Sequence, residues 1–585
     1  MIKEALQKLI REACANLGFE VGEIALEHPE NPEHGDYSTN IALILGKQLS
    51  RDPKEIAGKI VEELLRGKLF WELIKIIEKL SFTPNQAIAG PGFINFSLKK
   101  EFFVQELQQI LKQKEKYGIG REDKKIMVEF TDPNPFKEFH IGHLYSNIVG
   151  ETLCKILEAN GATVKRANYQ GDVGMHVAKA IWGMQSEMTA SHIDLQQLEK
   201  KNLKERIEFL GQSYAKGAVA FEENEEAKKE IAELNKKIFA LDSSIKNLYQ
   251  KGKKWSLEYF ETIYKRLGTK FNFYYFESEV GKIGLKLVQE NLKKGIFKES
   301  EGAVIFPGGK YGLHNRVFIN SQGLPTYEAK ELGLAPTKYK DFKYDLSIIV
   351  TGNEIIDYFK VLIAALKLIN PKLGERTRHV AHGMVRLAQG KMSSRSGNVI
   401  TAEELLDEVK VRVEKIMGSA GNKEVAEAVA LGAVKYALLK VSLGNDIIFD
   451  FEKSLSLQGD SGPYIQYTYA RCKSILRKST RSSDRVPSRM TGQIPDISKE
   501  EMDILRTAYK FPEIVREAAE NFSPNLVASF AFDLAQKYNL FYNTRRVLEA
   551  ETKEQREFRL MLTAATAQII KNSLSLLGVE SPERM

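Results

Sequence analysis

Cysteine is almost absent from this 585-residue chain: only Cys14, Cys154 and Cys472 occur, far apart and with no Cys-x-x-Cys pair. That excludes a disulfide framework and a zinc ribbon, so no zinc is expected and the three thiols read as small buried hydrophobes. Long apolar runs are lacking too, since no window reaches the roughly 20 apolar residues of a membrane-spanning helix. The start, Met1-Ile2-Lys3-Glu4-Ala5-Leu6, runs into an amphipathic helical pattern with an acid in it instead of the apolar stretch of a signal peptide. A cytoplasmic protein with no membrane partner is expected. Charge of one dominant sign is also missing, because 85 Lys and Arg stand against 77 Asp and Glu. The small basic excess favours a polyanionic partner without identifying one.

What is present suits several cores. At 43% hydrophobic, and with about 150 residues per domain as a guide, the chain is expected to hold three or four domains. Residues 1–115 read as a small α+β domain, with helical patterns at both ends, a turn-rich stretch from His28 to Asp36, and Gly90-Pro91-Gly92 leading into the alternating Phe93–Leu98. After the loop Tyr117-Gly118-Ile119-Gly120, Ile126-Met127-Val128-Glu129-Phe130 is strand-like. Leu144, Ile148, Val149, Leu153, Ile156 and Leu157 then share one face of a helix that Asn160-Gly161 ends, and Thr163–Ala167 forms the next strand. This strand–helix–strand unit opens a Rossmann-like parallel-sheet domain over 120–400, interrupted at about 186–265 by a lysine- and glutamate-rich helical insertion whose charges read as a solvated face. Strand signals at Ala303–Phe306, Arg316–Ile319 and Leu346–Val350 read as the parallel sheet resuming, and His379–Leu387 as a further strand. Residues 401–585 read as an α-helical bundle, with Ser479–Asp496 as a loop. The fold class is therefore multidomain, α/β plus α.

Two segments carry chemistry. The loop Thr131–Phe139, stiffened by Pro133 and Pro135, leads into His140-Ile141-Gly142-His143 at a helix N-terminus. Unpaired N–H groups there, with His140 and His143 as donors, suit phosphate oxygens as charge builds at an α-phosphorus. A metal pair or two satisfied loop histidines fit the same spacing. Lys391-Met392-Ser393-Ser394-Arg395-Ser396-Gly397-Asn398 combines two cations with small hydroxyl residues in one loop able to close over a triphosphate. Taken alone it is equally a solvated basic turn.

Together the two segments resemble the paired HIGH and KMSKS signatures of class I aminoacyl-tRNA synthetases. The first matches at all four letters. The second departs, with Ser394 and Arg395 where the general pattern has Lys and Ser, and that departure is itself characteristic of arginyl-tRNA synthetases. The resemblance implies that Lys137, ahead of the first signature, makes up for the missing lysine. It extends through Glu33-His34-Gly35-Asp36-Tyr37, Gly92-Phe93-Ile94-Asn95 and Ser461-Gly462-Pro463-Tyr464-Ile465-Gln466-Tyr467 to Pro582-Glu583-Arg584-Met585.

The resemblance implies a ligase that couples ATP to the attachment of L-arginine to its tRNA through an arginyl-adenylate, with magnesium arriving as part of the ATP complex. It assigns catalysis to Lys137, His140, His143, Lys391, Ser393, Ser394 and Arg395, and ATP binding to His140, Gly142, His143, Met384 and Lys391. For arginine it implies Glu129, Asn134, His143, Tyr327, Glu331 and Glu354; carboxylates beside an aromatic face suit a planar guanidinium. Glu331 stands where the family usually has Asp, and Asn353 or Glu354 near its Gln. Without the family match, Tyr327 and Glu331 read as ordinary helix surface. For tRNA it implies Asn95, Tyr464, Tyr467, Arg471, Tyr542, Arg546 and Met585; tyrosines at helical spacing are otherwise core, whereas with nearby arginines they can stack unpaired bases. A monomer is expected. The competing readings are a nucleotidylyltransferase with the same His-x-Gly-His loop and a non-catalytic tRNA-binding relative.

Overall fold

The computed structural model describes residues 2–65, 80–81, 87–388, 401–418, 421–481, 486–487, 490 and 493–585. At its centre five parallel strands lie in the spatial order Thr377–His382, Leu346–Gly352, Lys125–Glu129, Thr163–Gln170 and Phe273–Phe276. The strand that comes first in the chain is central, and the sheet grows outward on one side of it and then on the other. The switch point therefore falls between the carboxyl ends of Lys125–Glu129 and Leu346–Gly352, where open α/β sheets take their ligands.

Alternation along the strands sends side chains into two cores. Ile126 and Val128 pack with Leu144, Ile148 and Val149 of the helix Ile141–Ala159, while Met127 packs on the opposite face with Ile349, Ala329 and Leu362. The helix lies close to the sheet because residue 150 is glycine, where a Cβ would sit 2.1 Å from the Phe130 ring. It ends at Asn160-Gly161, with Gly161 at φ +102°, as the pattern predicts.

Three expectations from periodicity are corrected. Ala303–Phe306 and Arg316–Ile319 do not join the parallel sheet; they pair antiparallel with each other, and Ala303–Phe306 pairs antiparallel with Lys298–Ser300. The loop Pro307–Asn315 between them is shorter than the dozen or so residues a parallel crossover needs. His379–Leu387 is not one strand but the end of Thr377–His382 and a separate Val385–Leu387. The chain turns at Gly383, where a Cβ would lie 1.9 Å from the Asn445 carbonyl oxygen. Val385–Leu387 pairs with Ile447–Phe449, a strand inside the region that reads as helical.

Between Gln170 and Phe273 stand the helices Met175–Ser191, Leu195–Lys200, Leu203–Glu223, Glu225–Ala240 and Ser243–Leu267, around a core that includes Phe136, Ile181, Ile231, Ile238 and Trp255. In the N-terminal region, Phe93–Leu98 pairs antiparallel with Tyr37–Thr39, Leu80–Ser81 and Ile88–Ala89. Helices Gly462–Arg481, Lys499–Ala508, Phe511–Glu520, Pro524–Thr544 and Lys553–Leu576 form the C-terminal bundle. Of the loop Ser479–Asp496, residues 482–485, 488–489 and 491–492 lie outside the described residues. No helix among the described residues is long and apolar enough to cross a membrane.

The crossing of Met175–Ser191 and Leu203–Glu223 depends on two glycines: a Cβ on Gly183 would meet the Ser213 oxygen at 1.9 Å, and one on Gly217 the Lys179 oxygen at 1.9 Å. Each clash is with backbone, so no side-chain rotation relieves it. Gly217→Ala is expected to destabilise the chain by about 1–3 kcal/mol in urea unfolding, the usual cost of overpacking.

Candidate active site

The loop after the central strand is conformationally costly. Thr131, Asp132 and Phe136 all have positive φ (79°, 46° and 69°) without being glycine, a strain of about 1–3 kcal/mol each that persists only where the surroundings enforce it. Here they do. The Thr131 N–H donates to Ser146 Oγ (2.9 Å), whose hydroxyl donates to the Val350 carbonyl (3.1 Å), and Asn147 Nδ2 donates to Thr131 Oγ1 (3.0 Å). Farther along, the Phe136 N–H donates to Ser256 Oγ (2.9 Å). The loop is thus pinned to both strands of the switch point and to the helical insertion.

At its end the two histidines cap the helix they start. His140 Nδ1 accepts the N–H groups of Gly142 (3.1 Å) and His143 (3.4 Å), and His143 Nδ1 accepts the His140 N–H (3.3 Å). The N–H groups expected to be free for phosphate are therefore taken by the imidazoles. Because both Nδ1 atoms accept, each neutral ring carries its proton on Nε2, leaving two N–H donors. Burial, followed by the Lys137 charge, holds His140 below its ordinary range; burial, His140 and Lys137 hold His143 well below it. The rings stack at 3.6 Å, and a side chain on Gly142 would strike the His140 ring at 2.9 Å. Lys137 is steadied over the ring of Tyr214 in the insertion, 5.0 Å from its centroid.

The second signature, with Lys391, Ser393, Ser394 and Arg395, lies outside the described residues, but its flanks do not. Thr401 bridges to His140, and the Ala402 N–H donates to the Phe139 carbonyl (2.8 Å), so the chain after it returns to the first signature. On the other side Met384 is exposed, its N–H donating to Asp446 Oδ1 (2.8 Å). Glu354 is exposed at the switch point, where its charge opposes the downward shifts of His140 and the buried His382. It sits on the histidine side, while Asn353 donates to the Gly444 carbonyl (3.3 Å).

Beyond Glu129 lies a pocket of carboxylates that sequence reasoning glimpsed only in part. Glu129 is buried and accepts from the buried Lys338 Nζ at 2.6 Å. Burial alone would lower the Lys338 pKa, but Glu129 overrides it and raises the group. Buried Glu277 accepts from buried Lys330 Nζ at 2.5 Å. Asp132 and Glu331 bond no lysine among the described residues: desolvation and then Glu129 push both carboxyls well above the usual range. Asn134 closes the near side, since a Cβ on Gly171 would lie 2.3 Å from its Oδ1 and 3.3 Å from Glu277 Oε1. Tyr327 is exposed at the rim, beneath Lys330 Nζ at 4.8 Å. Tyr327, Glu331 and Lys338 lie on one helix, Tyr327–Asp341, at offsets that share a face, a signal the sequence carried for Lys338 as well. Asp132, Lys330 and Glu277 carried no comparable signal. An acid pocket short of cations, two neutral imidazole donors and a lysine suit a cationic ligand beside a phosphorylated one.

Far along the chain, Arg471 stands between two half-exposed tyrosines. Its guanidinium carbon is 4.9 Å from the rings of both Tyr467 and Tyr542. Tyr464 is partly buried against Phe532, and the exposed Arg546 pairs with Glu549. Met585 ends a tail tied down by Lys473 and Arg477, which bond Glu583 at 2.8 and 3.0 Å. Asn95 is apart from all of these and buried, its Oδ1 accepting from Ser38 Oγ at 2.7 Å.

Residues 106–451 match the family described as tRNA synthetases class I (R), catalytic domain; residues 2–98 match the arginyl tRNA synthetase N terminal domain and 465–585 the DALR anticodon binding domain. An arginine–tRNA ligase of Porphyromonas gingivalis is 30% identical over 96% of this chain and 96% of its own. One of Borreliella afzelii is 31% identical over 99% and 98%. The solved arginyl-tRNA synthetase of Thermus thermophilus shares the fold at a TM-score of 0.79, with 24% identity over the whole of both chains.

Two outcomes follow from the site's electrostatics. Lys338→Met leaves a buried carboxylate without its cation and is expected to cost about 3–5 kcal/mol in urea unfolding, most of it recovered in the double variant Glu129→Gln/Lys338→Met. With the His143 pKa well below the ordinary 6.5, its imidazole stays neutral as pH falls through 6.5 while unfolded chains take up the proton. The capped helix therefore loses stability below that pH and keeps it above. An NMR titration placing the His143 midpoint at or above 6.5 contradicts this.

Proposed function

The chain belongs to the arginyl-tRNA synthetases, and from that premise we propose how its residues divide the family's work. It is an aminoacyl-tRNA synthetase that attaches arginine to tRNA with ATP, through the adenylate route general to the family. An arginine carboxylate oxygen attacks the α-phosphorus of ATP, the bond to the bridging oxygen breaks, and pyrophosphate leaves. A terminal ribose hydroxyl of the tRNA then attacks the acyl carbon, and AMP leaves.

In our reading the Nε2 protons of His140 and His143 bond the α-phosphate as its charge grows, a role that neutral, preorganised donors fill without reorganising. Lys137 acts beside them, joined by Lys391 and Arg395 with Ser393 and Ser394 from the second signature. Gly142 lets the nucleotide approach, and Met384 borders it. Magnesium enters with ATP as part of the substrate. Glu331 holds the guanidinium with Glu129 and Tyr327, and Asn134 and Glu354 hold the polar end of the amino acid. The observation that carries the arginine assignment is the pair of partly buried carboxylates, Asp132 and Glu331, with pKa values lifted by desolvation and by Glu129, which a guanidinium would relieve.

Tyr467, Arg471 and Tyr542 form the platform for unpaired tRNA bases, with Tyr464, Arg546 and Met585 nearby. Asn95 adds a tRNA contact from the N-terminal domain, its oxygen already accepting one hydrogen bond from Ser38. We place the enzyme in the cytoplasm as a monomer.

Arginine-dependent ATP–pyrophosphate exchange, measured with and without tRNA, tests the whole scheme; absence of exchange under both conditions would leave a non-catalytic tRNA-binding relative. His143→Ala is expected to slow exchange by about 10²- to 10³-fold, the loss typical of one transition-state donor, with tRNA affinity little changed. Tyr467→Ala is expected to do the reverse, weakening tRNA binding by about 1–3 kcal/mol in salt-dependent titrations.

A further inference from the structure

Tyr169 takes no part in the scheme above, yet it stands among the same carboxylates, Glu277, Glu331 and Glu129, whose charges act on it. It stands two residues beyond Ala167, the residue that pairs with Glu129 across the sheet. Side chains two apart on a strand share a face, so Tyr169 and Glu129 project to the same side. The packing agrees: Tyr169 belongs to the core that contains Met127, Ala167, Val280, Ala329 and Leu332. Val280 lies on the helix that carries Glu277, and Leu332 follows Glu331 directly on the other. The Tyr169 backbone is held as well, its N–H donating to Asp132 Oδ1 at 2.8 Å.

The side chain is 7% exposed, and its hydroxyl has no hydrogen-bond partner among the described residues. Leaving a buried hydroxyl unpaired costs about 1–3 kcal/mol, and native structures seldom tolerate it without a use for the group. Burial, followed by the charges of Glu277 and Glu331, keeps the phenol protonated. Its oxygen therefore keeps free lone pairs. A guanidinium has five N–H donors and no acceptor, so every donor taken into a pocket needs an oxygen. A carboxylate fork supplies two. Glu129 Oε2 is already engaged by Lys338.

We infer that Tyr169 is a specificity-determining residue, its hydroxyl oxygen accepting a hydrogen bond from the substrate guanidinium that Glu331 holds. The inference rests on the arginine pocket described under the proposed function. It also accounts for the burial of a hydroxyl that bonds nothing among the described residues.

Tyr169→Phe removes only the orphan oxygen, so thermal unfolding should be level with the parent chain or slightly higher. In charging assays on the full chain, the KM for arginine should rise about 10- to 100-fold, while kcat and the KM for ATP change by less than about twofold. An unchanged arginine KM overturns the inference. So does a variant of lowered stability whose KM values for arginine and ATP rise together, because that pattern marks a structural hydroxyl. Arginine-induced thermal stabilisation gives a second readout: it should shrink in Tyr169→Phe, and a shift equal to the parent's is a refutation. If the parent chain itself shows no arginine-dependent exchange, the pocket reading falls and this inference with it; if the parent is active and Tyr169→Phe matches it, only the inference falls.

Discussion

A carboxylate taken out of water needs a cation or a proton, and the pocket beside the central strand holds Glu129, Asp132, Glu277 and Glu331 with, among the described residues, only Lys338 and Lys330 bonded to them. Much of the surrounding structure serves that imbalance. Lys338 projects from the same helical face as Glu331, so one helix delivers both a cation and an acid. Asp132 meets the cluster from a backbone in which it and Thr131 both adopt positive φ, a conformation held by the Thr131–Ser146–Val350 hydrogen bonds. Two carboxyls remain whose charged form is disfavoured in the free protein. A bound cation restores it, so ligand binding and carboxylate ionisation are coupled.

The histidine pair meets the opposite demand. There the charged form is the one excluded, by burial and by Lys137, and the capping bonds at Nδ1 fix which nitrogen keeps the proton. In the proposed scheme, neutral donors suit a site that binds an anionic nucleotide and then releases pyrophosphate. Lys137 supplies a permanent charge from a separate position, braced on Tyr214. The loop between strand and helix thus separates the two tasks, acids at its start and imidazoles at its end, within residues 129–143.

Much of this was legible in the sequence, and the exceptions have physical causes. The strand–helix–strand unit and the helix ending at Gly161 follow from local periodicity, and the histidine pair from the resemblance of its signature. The antiparallel fate of Ala303–Phe306 does not, because apolar strands of either kind read alike and only the short Pro307–Asn315 loop tells them apart. The split of Thr377–Leu387 depends on Asn445 pressing against Gly383, a contact between segments far apart in sequence. Within the pocket, Lys338 went unread, although its helical spacing from Glu331 offered a signal. Tyr169 offered none, since its proximity to Glu129 exists only through parallel register between two strands.

The same non-local logic governs how the distant parts act together. One apolar core runs from Leu6 and Phe96 through Val149 and Leu405 to Leu534 and Ile570, so the N-terminal region, the sheet and the bundle are packed as a continuous body. Buried polar groups cross its seams: Tyr37 donates to Glu513 Oε1 at 2.5 Å, and Arg506 bonds Asp36 at 3.0 Å. Lys435 joins the bundle to the insertion, its ammonium donating to the carbonyls of Leu267 (2.7 Å) and Gly578 (2.6 Å). Both lie at helix C-termini, where aligned peptide dipoles favour a cation, although burial and Lys155 lower its pKa to about 8. Thr269, two residues beyond Leu267, bonds Asn147, and Asn147 bonds Thr131. Packing and hydrogen bonds thus connect Gly578, through Lys435, Leu267, Thr269 and Asn147, to the strained loop at Thr131.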